Sequence, residues 1–439
     1  MRLPMFLLCL FGSVLAAAQV GLPPVRVPLP GTPLPGIPAT DLAVDQRLDA
    51  ELRNTDLRDL RTLRIRALLR SHRDLIEADP HGNPIVRGEV LAVAPTSKVL
   101  AAAAAAGFTV VREANLGTLD LRIVVLRAAS GTAHSLAQLQ AADPTGVYDF
   151  NHLYIESGVV VPADAAPAQA VTAQAVSAGP STRQRARVGL IDTGVDAAHE
   201  VFRDAAVHQH GCTGRVIPHE HGTAVASLLV GRAPTFSGAA PGGELYAADV
   251  FCGLPTGGAT TEVAEALAWL VQQEVPVINV SLVGPPNRLL EVVVQQVIAS
   301  GHVIVAAVGN DGPAARPLYP AAWPGVVGVT GVDAQRRVLI EAERGPQVKF
   351  AAPGAQLAAA KSPSGYVVVR GTSFSAPLVA GLLALGLPAP APAAAADAIN
   401  ALAREATHLG SGSPNPVYGF GLVGEALRRQ PVLATLPAK

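Results

Sequence analysis

From Arg187 to Arg429 short apolar runs alternate with alanine-rich stretches of helical length, and this alternation constrains the fold more than any other feature of the chain. Val188-Gly189-Leu190-Ile191, Leu245–Val250, Val277–Leu282, His302–Val308 and Val326–Gly331 read as strands, with helices at Thr223–Val230, Thr261–Gln273 and Leu289–Ser300 between them. Strands joined through helices pair in parallel and are covered on both faces, so they read as continuous apolar runs. The expected class is α/β with a mostly parallel sheet. Ligands of such sheets bind at the carboxyl ends of the strands. Asp192, Ser281 and Asn310 all fall there.

Upstream the pattern changes. Gly88–Val93, Phe108–Arg112 and Leu119–Leu126 read as strands, Ser97–Ala106 and Ser135–Ala142 as helices, and Val147–Ile155 as a last extended piece. The order βαββαβ predicts a small α+β domain of the split βαβ kind over residues 86–156. Residues 157–186, where Ala, Pro, Gln, Ser and Thr mix without a period, read as a linker to a large domain at 187–430. Residues 41–85 carry leucine and isoleucine at helical spacing among Arg, Asp and Glu, whose interleaved signs predict a solvated helix face. Residues 19–40 are proline-rich and read as an extended tether. Residues 1–18 have the basic start, apolar middle and alanine-rich end of a secretory signal, too short to span a bilayer.

That signal implies a secreted or periplasmic protein. Cys9 leaves with it, and Cys212 and Cys252 remain, an even count in an oxidising compartment that predicts a disulfide between them, with two buried thiols as the alternative. With 439 residues, 49% of them hydrophobic, the chain can bury a large core; its net charge of −1 gives no basic surface for nucleic acid. The apolar run Phe374–Leu387 reads as a buried core helix rather than a membrane span.

Three short segments carry the chemistry: Ile191-Asp192-Thr193-Gly194, His221-Gly222-Thr223 and Gly371-Thr372-Ser373. A serine hydroxyl is a poor nucleophile at its ordinary pKa. It needs an imidazole to take its proton and a carboxylate to orient the imidazole. The three groups lie far apart in sequence and can meet only in a folded domain.

Asp192-Thr193-Gly194, His221-Gly222-Thr223, Gly309-Asn310 and Gly371-Thr372-Ser373-Phe374-Ser375-Ala376-Pro377 resemble, in the same order, the signature segments of subtilisin-like serine proteases. Tyr418-Gly419-Phe420-Gly421-Leu422-Val423 resembles the segment that closes such catalytic domains, and Val86–Ile155, ending in Asp149-Phe150-Asn151-His152-Leu153-Tyr154, resembles more weakly the inhibitory prodomain of the family. The resemblance implies a three-layer α/β protease domain behind a small α+β prodomain. It also implies an exported endopeptidase made as a self-processed zymogen, with protein or peptide substrates and its own prodomain as intramolecular inhibitor. Ser373 would be the nucleophile, His221 the base and then the acid, Asp192 its orienting carboxylate, and Asn310 an oxyanion donor together with the Ser373 N–H.

Ser281-Leu282-Val283-Gly284 resembles the strand that pairs with the substrate backbone, with Val283 where glycine is usual, which implies a narrowed first pocket. Ala233–Gly238 lacks the carboxylates and asparagines a hard cation needs, so the calcium loop common in the family is not expected there. His208, His210 and His219 lack the regular spacing of zinc ligands. No metal or cofactor is expected. Two other readings use the same residues: an inactive peptide-binding homologue, which would have lost a member of the triad, and a serine esterase, which would carry a Gly-x-Ser-x-Gly elbow. Neither feature is found.

Overall fold

The computed structural model describes residues 57–127, 131–161 and 185–428. The expected signal, the proline-rich tether and most of the expected linker lie outside these residues. The described residues begin with helix α1 (Leu57–Ser71) and strand β1 (Ile76–Ala78). The small domain follows as β2 (Pro84–Val93), α2 (Ser97–Ala105), β3 (Thr109–Leu116), β4 (Leu121–Arg127), α3 (Thr132–Ala142) and β5 (Val147–Glu156). This is the expected βαββαβ order. Its strands pair antiparallel in the order β5-β2-β4-β3, and Val90, Ala92, Val124 and Leu126 pack with Leu136 and Leu139 of α3 into a core of their own.

Beyond Glu156 the structure departs from a plain linker, because Val159–Val161 form a strand, β6. The β-branched run extends the backbone, and a sheet edge in the large domain accepts it.

The large domain contains β7 (Arg187–Asp192), β8 (Ala206–Gly211), α4 (Glu220–Val230), the hairpin β9 (Arg232–Ala233) and β10 (Phe236–Ser237), β11 (Glu244–Asp249), β12 (Gly258–Ala259) and α5 (Thr260–Gln272). It continues through β13 (Val277–Val280), β14 (Leu282–Val283), α6 (Arg288–Ala299), β15 (Val303–Ala307), β16 (Val327–Val332) and β17 (Val348–Pro353), and ends with β18 (Leu357–Ala360), β19 (Tyr366–Arg370), α7 (Thr372–Gly386) and α8 (Pro392–Glu405). Seven strands form one parallel sheet in the order β17-β16-β15-β13-β7-β11-β8.

Successive side chains of a strand point to opposite faces. Val303, Val305 and Ala307 of β15 therefore join the core under α4 and α7, while Ile304 and Ala306 join the core under α5 and α6. The result is three layers, helix on sheet on helix. No helix among the described residues is long and apolar enough to cross a membrane.

Cys212 and Cys252, just past the ends of β8 and β11, are joined in a disulfide with a Cα–Cα distance of 5.0 Å and a sequence separation of 40. On the chain-entropy account such a loop contributes about 4 kcal/mol. The three histidines near it have separate partners. His208 stacks on Tyr246, His210 stacks on Trp269, and His219 caps α4 through its ring.

The small domain is seated by the amino ends of two helices of the large one. The first N–H groups of a helix have no partner within it. Asp149 Oδ2 accepts from Arg288 N at the start of α6, at 2.7 Å, and Asn151 Oδ1 accepts from Thr261 N at the start of α5, at 3.3 Å. This seating aims β5 into the large domain. β5 pairs antiparallel with β12 on one side, Tyr154 opposite Gly258, and with β14 on the other, Ile155 opposite Val283 and Glu156 opposite Leu282.

Candidate active site

Asp192 ends β7, a strand buried along nearly its whole length. Its Oδ1 accepts from Thr193 N at 2.7 Å and faces His221 Nδ1 at 2.8 Å. In the neutral ring the nitrogen next to the carboxylate carries the proton, which leaves His221 Nε2 as the base position. His221 lies in the first turn of α4, which is drawn against β7 because Gly222 N donates to Thr193 Oγ1 at 2.8 Å. A Cβ on Gly222 would overlap the Thr193 carbonyl oxygen, so only glycine permits the approach.

Ser373 is the second residue of α7, which begins at Thr372 and carries Pro377 within it. The helix starts two residues before the apolar run Phe374–Leu387 that marks it in the sequence. Pro377 has no N–H to offer the carbonyl of Ser373, four residues before it. That carbonyl instead accepts from Ser281 Oγ at 2.8 Å, and Ser281 Oγ is in turn held by Asn279 Nδ2 at 2.9 Å. A proline that would weaken a helix elsewhere ties the Ser373 turn to the end of β13.

Asn310 follows β15. Its Oδ1 accepts from Thr372 N at 3.1 Å, which turns its amide nitrogen into the site, where Nδ2 is buried and has no hydrogen-bond partner among the described residues. His221 Nε2 is likewise buried and without a partner among them. Beneath this strand end lies Glu343, whose Oε2 accepts from Leu318 N at 3.2 Å. Burial, reinforced by nearby Asp311, pushes its carboxyl up to about 9, so it is neutral at pH 7.

The cleft is filled by the chain itself. Because Glu156 stands opposite Leu282, the next residue, Ser157, comes level with Ser281 and Ser373. Its Oγ is 2.7 Å from Ser373 Oγ, and Ser373 Oγ donates to the Ser281 carbonyl at 3.1 Å. The point where a Cβ of Gly371 would stand is 3.1 Å from both the Ser157 carbonyl oxygen and Asn310 Nδ2. The Ser157–Gly158 peptide therefore lies beside Ser373, Gly371 and Asn310. Beyond it β6 pairs with β19, Val159 opposite Arg370.

Four signature segments converge in one cleft, each on the element that delivers its side chain, and the match to known families agrees with them. A profile of the subtilase family matches residues 183–421, more than half of the chain. The chain belongs to the subtilase family. It is accordingly a serine endopeptidase. Subtilisin DY of Bacillus licheniformis is 31% identical over 245 residues, covering 54% of this chain and 88% of that relative. Subtilisin Savinase of Lederbergia lenta is 30% identical over 246 residues, covering 55% and 90%. Among solved structures, fervidolysin of Fervidobacterium pennivorans, described as a keratinolytic enzyme related to subtilisin, superposes with a TM-score of 0.62 at 19% identity, over 81% of this chain and 62% of that one. At that identity the likeness is one of fold.

Several residues of this subtilase's cleft escape a reading of the sequence. Arg64 Nη1 donates to the Glu156 carbonyl at 3.3 Å, and Arg61 pairs with Asp311 at 3.2 Å, beside Asn310. Arg61 is thus turned toward the cleft and not into solvent as expected, because the mostly buried Asp311 carboxylate offers a partner, while Arg64, which remains exposed, reaches the strand carbonyl at the cleft's edge. Val283, expected beside the first pocket, packs with Ile155 and Leu318. Tyr154 is 1% exposed, lies over Gly284 and donates to the Pro285 carbonyl at 2.9 Å. The run Gly158-Val159-Val160-Val161 is a strand signal in its own right. It is the trace in the sequence that marks where the chain crosses the site.

Proposed function

We propose that this subtilase is an exported zymogen that cuts its own chain between Ser157 and Gly158 through Asp192, His221 and Ser373, after which the small domain acts as an inhibitor. The observation that carries this reading is Ser157 Oγ resting against Ser373 Oγ, with the Ser157 carbonyl oxygen and Asn310 Nδ2 both close to Gly371 and strands paired on both sides of the Ser157–Gly158 peptide. Export rests on the expected signal and accords with the disulfide.

In this mechanism the Ser373 hydroxyl swings from the Ser281 carbonyl to His221 Nε2. The imidazole takes its proton as Oγ attacks the Ser157 carbonyl carbon. The oxyanion forms where the Asn310 amide and the Ser373 N–H, at the amino end of α7, can donate to it. Collapse breaks the bond to Gly158, whose amine leaves with the proton from His221. Water, deprotonated by the same imidazole, then frees Ser157 as a carboxylate. The cut strand stays paired with β12 and β14, so the product occupies the cleft it came from.

Mapping the new amino terminus by mass spectrometry tests the bond assignment, and a serine-directed phosphonate tests the nucleophile. The mature chain is expected to begin at Gly158, and the label to sit on Ser373. A first cut elsewhere overturns the assignment.

The precursor is also expected to have a pH dependence of its own. Burial lowers the pKa of His221, but Asp192 and then Glu156 raise it, and the outcome is a value of about 9. Below that pH the ring is an imidazolium and cannot accept the Ser373 proton. Self-cleavage should therefore speed up as pH rises toward 9, followed by jumping precursor held at low pH into a series of buffers. Glu156→Gln removes one of the charges that hold the proton, and is expected to move the midpoint down. A midpoint unchanged by that substitution would show that Glu156 does not tune His221.

A further inference from the structure

The residue after the scissile bond is boxed in from two sides, and this decides what the enzyme can cut. Gly158 is not in the left-handed region, so its backbone could be adopted by any residue. What excludes a side chain is space. A Cβ built on Gly158 would lie 2.5 Å from Phe374 Cε2 and 3.2 Å from Cδ2 and Cζ of the same ring. On another side the Gly158 Cα lies against Gly371, whose own Cβ would stand only 2.9 Å from it.

The Phe374 ring cannot easily yield. It is 0% exposed, belongs to the core beneath α4 and α7, and packs against His221 with centroids 5.3 Å apart. Turning it aside would disturb the core and the histidine together. Gly371 cannot retreat either, since it sits at φ +133° and its N–H donates to the Gly354 carbonyl.

We propose that Phe374 is a specificity-determining residue that restricts this subtilase to bonds followed by glycine, so that its substrates are polypeptides cleaved on the amino side of a glycine in an extended segment. This deepens the proposed self-cleavage at Ser157–Gly158 and rests on it.

The test compares two peptides on the self-processed enzyme: acetyl-Tyr-Ile-Glu-Ser-Gly-Val-Val-amide and the same peptide with alanine for the glycine. Forcing a methyl group into a packed site corresponds to a loss of about 10- to 200-fold in kcat/KM, and that is the expected preference for the glycine peptide. Phe374→Ala opens the wall, and Phe374→Leu does so with less loss of core packing. In either variant the ratio of the two peptides should fall toward one. Because the ratio is internal to each variant, a general loss of activity does not obscure it, and the wild-type ratio stands if a variant does not fold. In the precursor, Gly158→Ala should slow self-cleavage by a similar factor.

Equal kcat/KM for both peptides in the wild type would overturn the inference and leave the protease reading intact. A preference for glycine that persists in both Phe374 variants would overturn the role of that ring. Cleavage of neither peptide while Ser373 still takes the phosphonate would also overturn the inference. Cleavage of neither with Ser373 unlabelled would overturn the protease reading itself.

Discussion

Ser373→Ala is expected to leave a full-length precursor, shortened only by signal removal, that neither cuts itself nor cleaves added peptide. In subtilisin, loss of the nucleophile lowers kcat by about 10⁶-fold. A self-cleavage completed in minutes would be immeasurable after such a loss. The substitution removes the hydroxyl contacts to Ser157 and to the Ser281 carbonyl, but the bond from Ser281 Oγ to the carbonyl of residue 373 uses the backbone and persists. The α7 turn should hold its shape, and the variant should fold. Gel mobility and intact mass of the purified variant check the outcome. Maturation at the normal rate with no other protease present would refute self-processing.

Asn310→Ala is expected to cost the next largest factor. In the proposed mechanism the Asn310 amide donates to an oxygen that carries charge only in the tetrahedral intermediate, so its removal should lower kcat while KM stays nearly unchanged. In subtilisin, losing such a donor costs about 10²- to 10³-fold, or about 2.7–4 kcal/mol. The alanine variant also deprives Thr372 N of the acceptor that it has in Asn310 Oδ1. Asn310→Asp separates the two effects, since it retains that acceptor and replaces the donor with a second acceptor. Both variants should be slow. If Asn310→Asp keeps wild-type kcat, the amide does not serve the oxyanion. A rise in KM at constant kcat would instead place Asn310 in substrate binding.

Much of this protein is legible in its residues. Strand β15 is apolar throughout and β13 at every position but Asn279 because both faces are covered, and a run of that kind between alanine-rich helices admits few folds other than a layered α/β sheet. The βαββαβ order of the small domain follows from strand and helix periods with glycine and loop signals between them. Asp192, His221, Asn310 and Ser373 stand out because each sits in a short motif, and because three of the residue types make chemical sense only together.

Other features follow from no local pattern. Glu156 stands opposite Leu282, and one residue of slip would bring a different peptide to Ser373. Strand register is set by backbone hydrogen bonds and by the docking of Asp149 and Asn151 on two helix ends, contacts between residues more than a hundred positions apart. The same holds for Arg61 and Arg64, which read as ordinary surface arginines until α1 is laid over the cleft. Phe374 looks like one more apolar residue of a core helix, and Gly158 like one more glycine of a linker. Composition and spacing determined the fold class and the kind of chemistry, because burial and reactivity are properties of residue types and of short periods. Which peptide lies beside Ser373, and which side chains crowd Gly158, was decided by tertiary structure alone, because these depend on distances between chain segments whose separation in space no local pattern encodes.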